Sequence, residues 1–265
     1  MLKLLPSLLF IAAPASAQPL PTLNEVQFDE CLKLAGTDPA SAVTEASLWT
    51  QQGGGYLARA CHGYALATDF KFDLAIPMLT EAAKLAEEKG DARAARFWTQ
   101  AGNAALAADT PDAALAALDK ALASQTLEST ERADSEIDRA RALVALRRPA
   151  DAEAALTTAR KLSPENGTAW LLSATLARRM NKLADALSYI QTTAALLPRD
   201  AAVALEAGNI AIAAGDEGAA RKQWEQCIAI APNSRQAATA TAQLAALAAS
   251  AQASTEPPST EPQSR

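Results

Sequence analysis

The sequence has few of the side chains from which catalytic and metal sites are usually built. It contains one histidine and three cysteines among 265 residues, which argues against histidine-based triads and multi-histidine zinc sites. It also lacks a nucleophile elbow and an H-E-x-x-H pair, and its glycine run at 53–55 has neither the lysine nor the preceding strand of a phosphate-binding loop. We therefore expect no catalytic residues, no metal and no cofactor.

Long hydrophobic runs are also scarce. One apolar run stands at the N-terminus, in MLKLLPSLLFIAAPASA, and it is too short to cross a bilayer. Lys3 precedes this run, and the small residues Ala15 and Ala17 close it, as in a secretory signal peptide cleaved after Ala17. No second hydrophobic span follows. We expect a protein without an integral membrane span that is periplasmic or secreted.

An excess of positive charge is missing as well. The chain has 24 basic and 30 acidic residues, which gives a formal net charge of −6. This balance argues against nucleic acid or anionic lipid as the general partner. Any basic binding surface must therefore be a local patch.

A fixed spacing of prolines organises most of the chain. Pro164, Pro198 and Pro232 lie 34 residues apart, and each follows an apolar-periodic stretch, as expected of a repeat protein. We number each repeat unit so that its proline is residue 32 of the unit. Small residues then recur at positions 8 and 20, and we expect them to face each other where the two helices of a hairpin approach. Position 24 is a large apolar residue. In five successive units, position 8 is Gly63, Gly102, Ala140, Ala174 and Gly208, position 20 is Ala75, Ala114, Ala152, Ala186 and Ala220, and position 24 is Leu79, Leu118, Leu156, Ile190 and Trp224.

These residues carry a family resemblance. Trp98 with Gly102, Trp170 with Ala174, the segment DEGAARKQWEQCIAIAP and the prolines resemble the tetratricopeptide repeat, W-x2-L-G-x2-Y, A-x3-F and P. The resemblance covers roughly residues 28–232, although position 7 is not leucine in any of the five units. It implies an all-α fold, a right-handed α-solenoid of about six helical hairpins with a C-terminal capping helix.

This resemblance and the local composition together predict the organisation of the chain. A hairpin before residue 56 departs from the repeat pattern in its first helix, and the last residues are rich in Pro, Ser, Thr and Glu, without large apolar side chains. We expect a signal peptide at 1–17, a degenerate N-terminal hairpin at 18–55, repeats at 56–94, 95–132, 133–166, 167–200 and 201–232, a capping helix at 233–249 and a disordered tail at 250–265.

The resemblance further implies a concave groove lined by the first helix of each unit, with positions 2, 5, 9 and 12 facing inward. Aliphatic side chains there would accept apolar partner side chains, asparagines would bind a peptide backbone, and Arg141 with Arg178 would attract carboxylates. Alternatively, the aliphatic side chains pack against the neighbouring first helix. The expected groove residues are Tyr64, Arg96, Asn103, Ile137, Arg141, Leu171, Thr175, Arg178, Leu205 and Asn209.

The cysteines suggest one covalent link. Cys31 and Cys61 lie on the first helices of consecutive units, and these helices pack side by side in the resembled family, so we expect a disulfide. Two buried free thiols are the alternative. Cys227 occupies a small-residue position and is expected to be an inert core residue. Cys61 and His62 fall one cysteine short of the C-x-x-C-H haem motif, and we expect a core histidine there.

Together these features predict a scaffold or adaptor in the periplasm that holds a protein or peptide partner in its groove. Envelope assembly, division and cytochrome maturation are roles that the resemblance allows, and the sequence does not choose among them. A self-associating structural oligomer is the alternative function. A single-cysteine haem carrier or an enzyme is a third class, and it would need a cofactor.

Overall fold

The fold consists of helices connected by short turns. The computed structural model describes residues 21–255, with side chains up to residue 250. The predicted signal peptide and residues 256–265 of the predicted tail lie outside this range. Within it there are thirteen helices and no strand: α1 Leu23–Thr37, α2 Pro39–Gln51, α3 Gly55–Thr68, α4 Phe72–Glu88, α5 Ala94–Ala107, α6 Pro111–Ala123, α7 Ser129–Ala145, α8 Pro149–Leu162, α9 Gly167–Arg179, α10 Leu183–Leu196, α11 Ala201–Ala213, α12 Glu217–Ile230 and α13 Arg235–Thr255.

Local sequence signals fix where many of these helices begin. Proline stands in the first turn of α2, α6 and α8, where a missing backbone N–H costs no hydrogen bond. Side-chain oxygens of Thr22, Asp38, Asn166, Asp200 and Asp216 accept hydrogen bonds from the first free N–H groups of α1, α2, α9, α11 and α12.

Consecutive helices pack as antiparallel hairpins, and each hairpin packs on the next. The buried interior runs along the whole stack and is made mostly of alanine, with one large side chain between the helices of a hairpin, such as Leu79, Leu118 or Trp224. Because no hairpin buries its apolar face alone, stability depends on stacking neighbours. The predicted all-α helical-repeat solenoid is confirmed.

The close approach within a hairpin differs in one detail from the prediction. A Cβ at Gly63 or Gly102 would lie 2.6 Å from Cγ of Leu79 or Leu118, and a Cβ at Gly208 would overlap the indole of Trp224. The small residue at position 8 therefore faces the large side chain at position 24, and the alanine at position 20 is not its main neighbour. Glycine makes room for the knob of the opposite helix.

Two boundaries also differ from the expected ones. Helix α7 begins at Ser129, ahead of the predicted unit start at residue 133, because Glu128 and Glu131 form a reciprocal cap at its N-terminus. Helix α13 continues to Thr255, so residues 250–255 of the predicted disordered tail are helical. Helices α9 and α11 begin at Gly167 and Ala201, the expected first residues of their units.

The turn inside each regular hairpin has one residue in the left-handed conformation. This residue precedes the second helix by two positions and closes the same tight connection five times. Its φ angle lies between 55° and 85°, a region that favours glycine, asparagine and aspartate. The five residues are Phe70, Asp109, Arg147, Asn181 and Gly215.

Candidate partner-binding groove

Two adjoining concavities lie along the first helices of the C-terminal hairpins. The first, of about 190 Å³, lies between α7 and α9, and the second, of about 300 Å³, lies between α9, α11 and α13. Leu172 and Thr175 line both, so the two form one continuous surface, which we name the groove. Its two ends are α7 and the capping helix α13.

The first concavity has an apolar floor and a basic rim. Helices α7 and α9 approach each other less closely than the neighbouring first helices α9 and α11 do. The half-buried Val144 and the buried Leu156 and Leu176 line the floor of the concavity. The exposed guanidinium groups of Arg141 and Arg179 stand beside it. An apolar floor with charged groups at its edge is typical of interface sites.

The second concavity combines aliphatic and polar walls. Leu171 and Leu205, both half-buried, contribute its apolar surface. The capping helix supplies Arg235, Gln236 and Thr239 on the opposite side. The groove therefore continues onto α13, which is a wall of the site as well as the end of the stack.

Four of the ten expected groove residues line these concavities: Arg141, Leu171, Thr175 and Leu205. Their neighbours place some constraints on them. The Arg141 guanidinium is 2.5 Å from the Asp138 carboxylate one turn earlier, but the arginine side chain remains 48% exposed. The Thr175 hydroxyl donates to the Leu171 carbonyl at 3.0 Å, which leaves its lone pairs free to accept.

Arg178, which was expected to attract a partner carboxylate, is instead paired with a carboxylate of this chain. Its guanidinium donates two hydrogen bonds to the carboxylate of Glu206 on α11. The amide nitrogen of Asn209 lies 3.4 Å from the same carboxylate, and its amide oxygen accepts from the Trp224 indole at 3.2 Å. Arg178 and Asn209 thus serve an internal network that ties α9 to α11 and α12.

Ile137 is not on the groove surface. Its side chain is 3% exposed and packs in the core with Leu143 and Leu156. The alternative in which the position-5 aliphatic side chain packs against its neighbours applies to this residue. At Leu171 and Leu205 the same position stays partly open.

The three expected residues nearer the N-terminus lie away from the two concavities. Arg96 forms an exposed ion pair with Glu131, at 2.5 Å, across α5 and α7. Tyr64 packs edge-on against Phe28, and burial raises the pKa of its hydroxyl to about 12. The amide oxygen of Asn103 is buried and accepts no hydrogen bond from the residues that the structure describes.

Comparison with known proteins identifies the repeat. The family profile of the tetratricopeptide repeat matches residues 137–187 and 171–238, the part of the chain that carries the groove. Residues 137–238 of this chain therefore carry tetratricopeptide repeats. No curated protein sequence matches it.

Solved tetratricopeptide structures share the fold. PilW, a widely conserved type IV pilus biogenesis factor, superposes with a TM-score of 0.68 at 19% identity, over 83% of this chain and 99% of its own. PilF of Pseudomonas aeruginosa gives 0.65 at 18%, also over 83% and 99%. YrrB, a TPR protein with an unusual peptide-binding site, gives 0.56 at 21%, over 76% and 97%. At these identities the similarity shows the fold alone.

The tetratricopeptide register accounts for groove residues that the sequence interpretation missed. Continued past Pro232, it begins a new unit at Arg235, which places Gln236 at position 2 and Thr239 at position 5, both inward-facing. Applying the register to the capping helix would therefore have identified both residues. Arg179 is at position 13, outside the inward set, and only the gap between α7 and α9 brings it to the rim.

The N-terminal end of the helical stack is linked covalently. Cys31 on α1 and Cys61 on α3 form a disulfide with their Cα atoms 6.1 Å apart. This bond occupies the Cys61 sulfur that a single haem thioether would need. Burial lowers the pKa of the neighbouring His62, and Cys227 is a buried free thiol.

Proposed function

We propose that this protein is a non-catalytic scaffold that holds a segment of a partner protein in the groove. The observation that carries the proposal is the continuous surface from α7 to α13, in which aliphatic side chains stand beside three exposed arginines. Tetratricopeptide repeats present such concave surfaces for interaction. The two concavities, of about 190 and 300 Å³, are at or below the lower end of small-molecule sites, which are roughly 300–1,000 Å³. This size favours partner side chains over a cofactor.

The charges of the groove define the chemistry of the partner. The Glu206 carboxylate is neutralised by Arg178, and the exposed Arg141 is paired with Asp138. The basic groups of Arg179 and Arg235 are exposed and have no ion-pair partner among residues 21–250. The groove is thus a local basic patch on a chain of net charge −6. A segment with two apolar side chains and at least one flanking carboxylate complements it.

We place this activity in the periplasm or outside the cell. The N-terminal MLKLLPSLLFIAAPASA has the pattern of a cleaved export signal. A disulfide such as Cys31–Cys61 persists in oxidising compartments. Among the described residues, no helix has the length and apolarity that a membrane span requires.

Photo-crosslinking from inside the groove tests the proposal. The full-length protein would carry benzoylphenylalanine at Thr175, and a control would carry it at Lys161, which is exposed on α8 and lines neither concavity. We expect an adduct with another protein from position 175 and none from position 161. Adducts of equal yield from both positions would contradict a groove site. An adduct of two copies of this chain would support the self-associating alternative instead.

A further inference from the structure

A second surface lies at the hairpin turns, away from the groove. Of the five left-handed turn residues, four are Asp109, Arg147, Asn181 and Gly215, which are charged, polar or glycine. The fifth, Phe70, has φ 60° and is 82% exposed. A bulky residue in this conformation is an outlier, because the left-handed region is unfavourable for residues with a Cβ.

Among the described residues, the contacts of Phe70 do little to offset this cost. Phe70 makes an edge-on contact with Phe72, with ring centroids 6.1 Å apart, but most of its surface stays in water. The same turn is closed elsewhere by residues that accept the backbone conformation more readily. An aromatic side chain that is both strained and exposed is typical of a binding surface and adds little to stability.

Phe70 stands beside a concavity. This concavity is lined by Phe72 and Leu74 at the start of α4 and by Ala107 and Ala108 at and just after the end of α5. Leu74 is 58% exposed. The concavity has a volume of about 430 Å³ and is shallow and open to solvent. We name Phe70, Phe72, Leu74, Asp73 and Asp109 the Phe70 patch.

The charge of this patch is opposite to that of the groove. Lys71 is paired with Asp69 at 2.7 Å, so these two charges offset each other. Asp73 and Asp109 also line the concavity, both are exposed, and neither has an ion-pair partner among residues 21–250. The patch is therefore apolar with an acidic rim.

We propose that the Phe70 patch is a second docking surface, for a partner protein segment that presents an apolar side chain next to lysine or arginine. The acidic rim selects basic flanking residues by charge complementarity. A lipid surface fits less well, because anionic headgroups would be repelled by Asp73 and Asp109. This proposal does not depend on the function proposed for the groove.

Peptide selection on the full-length protein tests it. A phage library of random 12-residue peptides would be panned against the wild type, against Phe70→Asn and against Arg179→Glu. Asparagine is the natural residue in the equivalent turn at Asn181, so Phe70→Asn should leave the thermal midpoint unchanged or raise it. We expect peptides with an apolar residue flanked by lysine or arginine to be enriched on the wild type and Arg179→Glu, and lost on Phe70→Asn. Peptides lost only on Arg179→Glu report on the groove.

Affinity measurements on one enriched peptide sharpen the test. Phe70→Asn should weaken binding roughly tenfold or more, as for a central aromatic contact. Asp109→Asn should weaken it about two- to fivefold at low salt, as for an exposed charge. Arg147→Asn places the same new residue in the equivalent turn of the α7–α8 hairpin, and it should leave the affinity for the peptide unchanged.

Three results would overturn the proposal. The first is a selection in which no enriched peptide depends on Phe70. The second is a concentration-dependent dimer, seen by sedimentation equilibrium, that Phe70→Asn abolishes, because a second copy would then cover the patch. The third is binding to phosphatidylcholine vesicles that Phe70→Asn abolishes, because the patch would then face lipid.

Discussion

Arg178 and Glu206 form a two-point ion pair between α9 and α11, with Nε 2.7 Å from Oε1 and Nη2 3.2 Å from Oε2. The Glu206 side chain is 9% exposed and that of Arg178 is 25% exposed. Removal of one partner from such a pair leaves the other charge without compensation, and this is more costly than replacing both. The pair therefore holds two repeats in register along the groove.

Truncation of this arginine should destabilise the protein. We expect Arg178→Ala to lower the free energy of unfolding by about 2–3 kcal/mol, because Glu206 is left buried without its donor. The double change Arg178→Met with Glu206→Leu should recover most of the loss. Urea denaturation monitored by circular dichroism measures both. If Arg178→Ala leaves stability unchanged and weakens partner binding instead, then Arg178 contacts the partner rather than Glu206.

Charge reversal at the rim of the groove should weaken partner binding. Arg179→Glu replaces an attraction for a partner carboxylate with repulsion, and calorimetry with the crosslinked partner should show a loss of about 1 kcal/mol that shrinks at high salt. Arg141→Glu should act in the same direction. Lys161→Glu on α8 changes the charge equally and serves as the control. An equal response to Lys161→Glu would mean that the net charge alone sets the affinity.

The disulfide should stabilise the N-terminal end of the stack. Cys31 and Cys61 are 30 residues apart in sequence, and a loop of this length corresponds to about 3–4 kcal/mol in the chain-entropy treatment. We expect reductant, or the double change Cys31→Ser with Cys61→Ser, to lower the thermal midpoint. Reductant should have no further effect on the double variant. When the unreduced protein is denatured, it should show one reactive thiol, and after reduction it should show three. Three reactive thiols before reduction would contradict the disulfide.

Acid should destabilise the protein through Asp91. Hydrogen bonds from Arg93 and from the Tyr56 hydroxyl lower the pKa of its carboxyl to about 2. Because this pKa is lower in the folded than in the unfolded chain, the stabilisation is complete above about pH 4 and is lost as the pH falls toward 2. The loss should be about 2 kcal/mol. The free energy of unfolding, measured by urea denaturation between pH 5 and 2, should fall more steeply with decreasing pH for the wild type than for Asp91→Asn. An equal pH dependence in the two proteins would exclude this assignment.

Sequence alone predicted the fold because the repeat signals are local. Pro164, Pro198 and Pro232 follow the ends of α8, α10 and α12, and the caps Asn166 and Asp200 begin α9 and α11. Each of these signals acts within a few residues. The α7 start was missed because Glu128 is an unusual N-cap, outside the usual Ser, Thr, Asp and Asn.

The groove was only partly predictable because it depends on spacing between repeats. Ile137 and Leu171 occupy the same position of their units, yet Ile137 is buried and Leu171 borders a concavity. The difference arises from the side chains that surround each position in the stack, and no single repeat encodes them. The Arg178–Glu206 pair likewise joins residues 28 positions apart on different helices.

The position of α13 has a consequence for the life of the complex. A linear array opens most easily at an end that no covalent bond secures, and here that end carries Arg235, Gln236 and Thr239 of the groove. A partner that contacts these residues binds only molecules in which α13 is docked, so occupancy shifts the population away from frayed molecules by mass action. A bound partner would therefore keep α13 docked on the stack. Dissociation of the partner and fraying of α13 would then be thermodynamically linked.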